Sequence, residues 1–351
     1  MKNSSCYPIS RRKNMKVLII GGTGLLGSEA AKELIKRGHS VIGMALPPVP
    51  KGADIPSQME LILKDCMSLN IDELTSIMKK CDGLVFAAGV DERIEGPAPI
   101  YDMFYRYNIV PLQKLLPLAK ECGIKQTVIC GSYFTYFDRT FPEWELYKHH
   151  PYIRSRVDQA KIALDYADEN FAVSVLELPY IFGAQKGRKP VWTFLVDMIK
   201  KMPMATMYPK GGTAMITTRQ VGQCIASALE IGKGGQLFPV CTYNMTWKEM
   251  LSIFHEHMGM PNRKIITIPT FLFKASAKKI VKQQKAAGHE GGLDMVKFVK
   301  VMTYEAFMSD FNAKTIFRAR PDDIKKAIGE SVRLCLDVLD KKTDVIDMKG
   351  E

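Results

Sequence analysis

The chain has 351 residues, a net charge of +12 and 46% hydrophobic residues, enough for one sizeable α/β core and a smaller lobe. No apolar run of about 18 residues predicts a membrane span, and residues 1–14, basic but without an apolar stretch, do not read as a secretory signal. Eight scattered cysteines, with no Cys-x-x-Cys pair and no metal-ligand spacing to His, point to free thiols in a reducing, cytoplasmic setting and to no metal site.

The charge is uneven: residues 1–16 carry +5 and residues 261–320 carry +8. Such a tract suits phosphorylated ligands, nucleic acid or membrane headgroups, or is simply a solvated basic face.

Val17–Ile20 is a continuous apolar run and predicts a buried parallel strand. It leads into Gly21, Gly24 and Gly27, and then into a helical pattern that stops at Gly38. Strand, glycine turn and helix N-terminus form a pyrophosphate site. Gly21 allows the tight turn, Gly24 admits the phosphates, and Gly27 lets helix and strand approach. Ser40–Met44 is a second strand. The acid expected after it, for a nucleotide ribose, is missing: Ala45, Leu46 and Pro47 stand there. That absence leans toward NADP over NAD, with Lys51 the nearest cation.

A third strand over 61–65 ends in Asp65, placed to reach an adenine amino group. A cap or turn is the alternative reading. Residues 74–78 are a short helix. Gly83–Gly89 is a fourth strand whose end, Ala87-Ala88-Gly89, lets backbone pass close to the cofactor. A helix over 105–119 carries Asn108, and Pro117 predicts a kink or split there. The fifth strand, Gln126–Ser132, delivers Ser132 to the ligand edge of the sheet. Tyr152 and Arg156, four apart, share a face of the next helix. Arg156 reads either as a pocket residue or as a surface charge paired with Asp158 or Glu177. Ala172–Leu178 is a sixth strand. Further on come helices near 192–201 and 247–258, a mixed segment over 216–229, a strand near 237–240, and a Lys-rich tract over 271–300 broken by Gly288, Gly291 and Gly292.

Gly21/Gly24/Gly27, Asp65, Ala87-Ala88-Gly89, Asn108, Ser132 and Tyr152, in that order, resemble an extended (or atypical) short-chain dehydrogenase/reductase of the NAD-dependent epimerase/dehydratase group. The resemblance covers about residues 15–340. It implies an α/β fold: a Rossmann-type doubly wound parallel sheet over 15–180, rejoined by about 212–245, and a smaller α/β C-terminal substrate lobe within 181–345. It implies an oxidoreductase, epimerase or dehydratase acting on a hydroxyl or carbonyl carbon, with nucleotide sugars as one substrate class.

By the same resemblance Tyr152 is the proton donor or acceptor, Ser132 holds the substrate oxygen, and Arg156 stands where the family has Lys. The implied cofactor contacts are Gly21, Thr23, Gly24, Leu25, Leu26, Gly27, Asp65, Cys66, Ala87, Ala88, Gly89, Asn108, Cys130, Tyr152, Arg156, Pro179, Tyr180 and Ile181. Two further loose matches are Thr217–Val221, a segment returning toward the substrate, and Phe311-Asn312-Ala313-Lys314, a late Lys-bearing turn. Glu177 stands where the family commonly has Arg. A small-molecule substrate and the family's habit of dimerising are the expected partners. The competing reading is a regulatory or RNA-binding protein that kept the nucleotide fold with weakened chemistry, in keeping with Arg156 and the basic tract.

Overall fold

A computed structural model describes residues 14–232 and 234–347; the N-terminal extension expected over 1–14 lies almost wholly outside them. In chain order the strands are β1 (Lys16–Ile20), β2 (Ser40–Met44), β3 (Glu60–Ile62), β4 (Gly83–Phe86), β5 (Glu95–Pro97), β6 (Gln126–Ser132), β7 (Ala172–Leu178), β8 (Tyr180–Phe182), β9 (Thr206–Tyr208), β10 (Gly212–Thr217), β11 (Gln236–Pro239), β12 (Tyr243–Thr246), β13 (Ile265–Thr267), β14 (His289–Gly291) and β15 (Glu305–Ala306). The helices are α1 (Leu25–Lys36), α2 (Ile71–Met78), α3 (Tyr101–Asn108), α4 (Val110–Glu121), α5 (Phe134–Thr140), α6 (Leu146–His149), α7 (Pro151–Asp165), α8 (Thr193–Lys201), α9 (Thr218–Ile231), α10 (Trp247–His257), α11 (Thr270–Ala286), α12 (Met295–Met302) and α13 (Ile324–Leu339).

Seven parallel strands in the order β11-β7-β6-β4-β1-β2-β3 form the main sheet. Both faces are covered, which is why β1 reads as unbroken apolar sequence. Val17 and Ile19 pack on the α1/α9 side, whereas Leu18 and Ile20 pack with Leu74 of α2 and Leu115 of α4. Burying each such side chain contributes roughly 1.5–3 kcal/mol. The strand order reverses between β1 and β4, so their carboxyl ends open the crevice where doubly wound sheets bind ligands.

The smaller lobe holds a second sheet, β12-β10-β15 with β8 beside β10, and two ribbons, β9–β13 and β5–β14. Its core contains Trp192, Met250, Phe254 and Ile328. The two layers interleave. Strand β5, which follows β4, pairs with β14 of the lobe, while α9 and β11 return to the main sheet.

Two expectations are corrected. The helix expected over 105–119 is split, but at Ile109 (φ −114°, ψ −54°), and α4 runs through Pro117. Pro111 is the responsible proline: having no N–H, it cannot make the helical hydrogen bond back toward residue 107, so α3 ends and a new first turn begins, where proline is tolerated. The third strand is also shorter than expected and stops at Ile62. Asp65 therefore lies in an exposed turn rather than at a strand end.

Candidate active site

The glycine turn is built by contacts that admit no side chain. A Cβ on Gly21 (φ +86°) would stand 2.6 Å from the Ala87 carbonyl oxygen, and one on Gly27 would stand 2.2 Å from that of Gly21. Gly22, beside them, is equally constrained by Gly43 of β2, at 2.5 Å. Gly24 differs: it meets only the Gly21 oxygen, at 3.0 Å, so the space above it is open. Gly24 is also the N-cap of α1, where no side chain caps the helix and no acid occupies the first turn. The orphan N–H groups at Leu25, Leu26 and Gly27 and the positive helix end thus face open space, as an anion site requires. The buried Thr23 hydroxyl has no hydrogen-bond partner. These residues fit a dinucleotide pyrophosphate.

At the end of β4, Gly89 (φ +124°) runs against Asn108, whose Oδ1 lies 2.4 Å from where a Cβ would sit. Asn108 closes α3, accepts from the Val90 N–H at 2.9 Å, and donates to the Val90 carbonyl and to Ser155 Oγ. It therefore anchors the loop that leaves β4. Asp65 spends one carboxylate oxygen on the Met67 N–H (2.9 Å), the turn-forming alternative. Burial pushes the neighbouring Cys66 thiol up to about 11.

Ser132 ends β6, and Tyr152 enters from the first turn of α7, which Pro151 starts. Both are buried. The Tyr152 N–H donates to the Gly292 carbonyl at 2.9 Å, which ties the start of α7 to the lobe. Phe104 and Phe134 pack edge-on against the Tyr152 ring. Burial raises the phenol above its ordinary value; the Arg156 charge and a hydrogen bond with Ser132 pull the other way. Arg156 is not a surface charge. It is buried, donates Nη2–H to the Cys130 carbonyl and leaves Nε without a partner. Asp158 instead accepts from Tyr101 and Tyr147, and Glu177 pairs with Arg139 at 2.5 Å, so neither neutralises Arg156. Cys130 is buried against this cation, its thiol still pushed up to about 12.

Tyr180 of β8 stacks obliquely on Tyr133, Trp192 and Trp247, walling the lobe side, with Pro179 and Ile181 on either side of it in the chain. The later matches are engaged in the framework. Thr217 caps α9, Arg219 pairs with Asp322 (2.8 Å) and Glu330 (3.1 Å), and Lys314 pairs with Asp310 (2.6 Å) in a π-turn.

Three residues near the site were not anticipated. Glu92, half-buried, follows the anchored Val90, and a Cβ on Gly292 would stand 2.7 Å from its carbonyl oxygen. Its carboxyl acts electrostatically on Tyr133, Tyr152, Tyr180 and Arg156 alike. Burial and then the Asp91 charge push it up to about 7. Tyr133, next to Ser132, bonds Thr213 at 3.1 Å. Arg188, half-buried with Nε unpartnered, sits on a loop whose Gln185 donates to Ser28 of α1 (2.9 Å). For Glu92 a signal existed: it lies three residues past Ala87-Ala88-Gly89, on the ligand edge.

The fold and the crevice define a dinucleotide-binding protein with a tyrosine and a serine at the carboxyl edge of the sheet. Residues 17–215 match the NAD dependent epimerase/dehydratase family, and the chain belongs to it. It is 24% identical over 211 residues to mouse sterol-4-alpha-carboxylate 3-dehydrogenase, decarboxylating (57% of this chain, 54% of that protein). It is 27% identical over 179 residues to UDP-glucose 4-epimerase of Lactobacillus helveticus (47% and 51%). The matches thus span about half the length of these curated relatives. The UDP-glucuronic acid 4-epimerase of Bacillus cereus, solved in complex with NAD, shares the fold with a TM-score of 0.64 at 12% identity, over 92% of this chain and 99% of that one. Among the described residues no helix is long and apolar enough to cross a membrane, and no cluster of His, Cys, Asp or Glu is arranged to hold a metal ion.

Proposed function

We propose that this chain is an NAD(P)-dependent oxidoreductase, epimerase or dehydratase that acts on a hydroxyl or carbonyl carbon of a nucleotide sugar. The observation that carries it is the Tyr152–Ser132 pair, buried at the carboxyl end of β6 with Arg156 one helical turn behind the phenol. The named relatives include a UDP-sugar epimerase, which supports the substrate class.

Bound nicotinamide supplies the hydride acceptor and donor. The chain's own residues handle the oxygen and its proton. Ser132 Oγ holds the substrate oxygen, and Tyr152 Oη gives or takes the proton as that oxygen passes between alcohol and carbonyl. Burial keeps the phenol protonated at rest, which suits proton donation to a carbonyl oxygen; Arg156 stabilises the tyrosinate of the reverse direction. Arg156 stays charged and cannot relay a proton onward. Glu92, titrating near neutrality, is the second group here able to exchange one. Ala45, Leu46 and Pro47 place no carboxylate where a 2′-phosphate would lie, so the site accepts NADP at least as well as NAD.

Arg156 also favours a second reading, nucleotide binding without turnover, because one arm of its guanidinium is already spent on the Cys130 carbonyl. Thermal-shift titration with NAD and NADP, followed by turnover assays with UDP-hexoses, tests both. Stabilisation by either nucleotide with hydride exchange supports the enzyme, stabilisation without exchange supports the second reading, and no stabilisation contradicts both.

A further inference from the structure

The basic tract is the feature the candidate site leaves unused. Residues 257–289 hold seven Lys or Arg and no Asp or Glu. Within them α11 is 17 residues long with Ala277 its one buried residue, so most of its surface faces outward. Lys274, Lys278, Lys282 and Lys285 form a stripe within about 80° of the helical wheel, with Lys279 beside it. All five are exposed, and no described acid pairs with any of them, whereas Lys200, Lys201 and Lys314 of this lobe are each paired.

Large apolar side chains stand out of the same surface. Phe271, 71% exposed, lies at the N-terminal end of the lysine stripe. Leu272, also exposed, lies beside Lys279 on the flank of the stripe, whereas Ile280, though exposed, is on the far side, next to the buried Ala277. The ribbon leading into α11 adds Met207 and Ile266, exposed cross-strand neighbours in register. A solvated basic face explains the lysines but not these side chains.

We propose that α11 and the β9–β13 ribbon form a peripheral docking surface for an anionic lipid bilayer. Phe271 and Leu272 enter the headgroup–acyl boundary, and the lysines extend to the phosphates and carboxylates around them. Charge complementarity selects this occupant. A second copy of the chain would set the unpaired lysines against their equals. Nucleic acid would engage the lysines but leave the apolar side chains in water, and Arg263, the one arginine of the stretch, is spent on the Met202 carbonyl and Thr206. The surface is independent of the nucleotide crevice.

Co-sedimentation of the full chain with phosphatidylcholine vesicles, with and without about one-third phosphatidylserine, tests it. Binding to the serine-lipid vesicles alone, weakened by salt, is the expected result. Lys278→Glu with Lys282→Glu should reduce partitioning at least about tenfold, given about fivefold per lysine. Phe271→Ser with Leu272→Ser should also reduce it, with melting temperatures unchanged because these residues are exposed. Three results would overturn the proposal: no binding to anionic vesicles at low salt, binding retained by both variants, or a wild-type dimer that the serine variant dissociates. Tight duplex DNA binding that the serine variant leaves intact, with vesicle binding absent, would assign the surface to nucleic acid instead.

Discussion

The guanidinium carbon of Arg156 lies 5.9 Å from the centre of the Tyr152 ring, one turn along α7, and among the described residues no carboxylate forms an ion pair with it. Its charge is the largest influence lowering the Tyr152 pKa against the greater effect of burial. Replacing Arg156 with Met removes that charge, and the alkaline limb of the kcat/KM profile should move to higher pH. Arg156→Lys keeps the charge and restores a proton-exchanging group, so it should retain or raise kcat. A profile unmoved in Arg156→Met would detach Arg156 from the chemistry.

Glu92 should be visible in the same profile. Its pKa of about 7 lies above the ordinary 4.5, so the folded chain holds this proton more tightly than the unfolded chain. Stability from this group therefore falls as pH rises from about 4.5 through about 7. Glu92→Gln should melt higher than the parent at pH 8 and lose an ionisation near 7 from kcat/KM. Equal melting temperatures at pH 8 would mean that the carboxyl carries no burial penalty.

His150 works in the opposite sense. It is fully buried, its Nδ1 accepts the Asp294 N–H at 3.1 Å, and burial brings its pKa down from 6.5 to about 4. The folded chain binds this proton less readily, so stability is complete above about 6.5 and is lost as pH falls toward 4, on the order of a few kcal/mol. Across the overlap the Glu92 and His150 slopes partly cancel. His150→Asn, which keeps an acceptor, should flatten the acid side of the melting curve while Glu92→Gln steepens it.

Two glycines of the turn should separate stability from binding. Gly27→Ala forces a Cβ to 2.2 Å from the Gly21 oxygen and should cost about 1–3 kcal/mol as well as nucleotide binding. Gly24→Ala meets only the Gly21 oxygen, at 3.0 Å, a tight contact that a shift of a few tenths of an ångström relieves, at an ordinary φ of −77°, so the fold should survive at less cost than in Gly27→Ala while the methyl crowds the phosphates. Chemical denaturation and nucleotide titration of both variants check the contrast.

The parallel strands are legible because burial on both faces makes them rich in Val, Ile and Leu with only isolated polar residues: β2, β6 and β7 fall on the residues expected from sequence. Strand β3 was misjudged because it is a partly exposed edge, where Leu61 and Leu63 look like core but face solvent. The helix break was assigned to Pro117 when Pro111 makes it, since sequence alone does not say which proline lies in a first turn. At the site, Arg156 is ambiguous in sequence because its partner, the Cys130 carbonyl, lies 26 residues away on β6. Glu92 was missed because what shapes its surroundings, Gly292 and the tyrosines 133 and 180, comes from distant parts of the chain.

The central claim is that Tyr152 moves the substrate proton. The most direct measurement mixes the NAD(P)-loaded protein, wild type and Tyr152→Phe, with UDP-hexoses and follows the absorbance of reduced nicotinamide in a single turnover. The account predicts cofactor affinity within about twofold in the variant and a hydride-transfer rate lower by about 10²–10⁴. Undiminished transfer in Tyr152→Phe would contradict it.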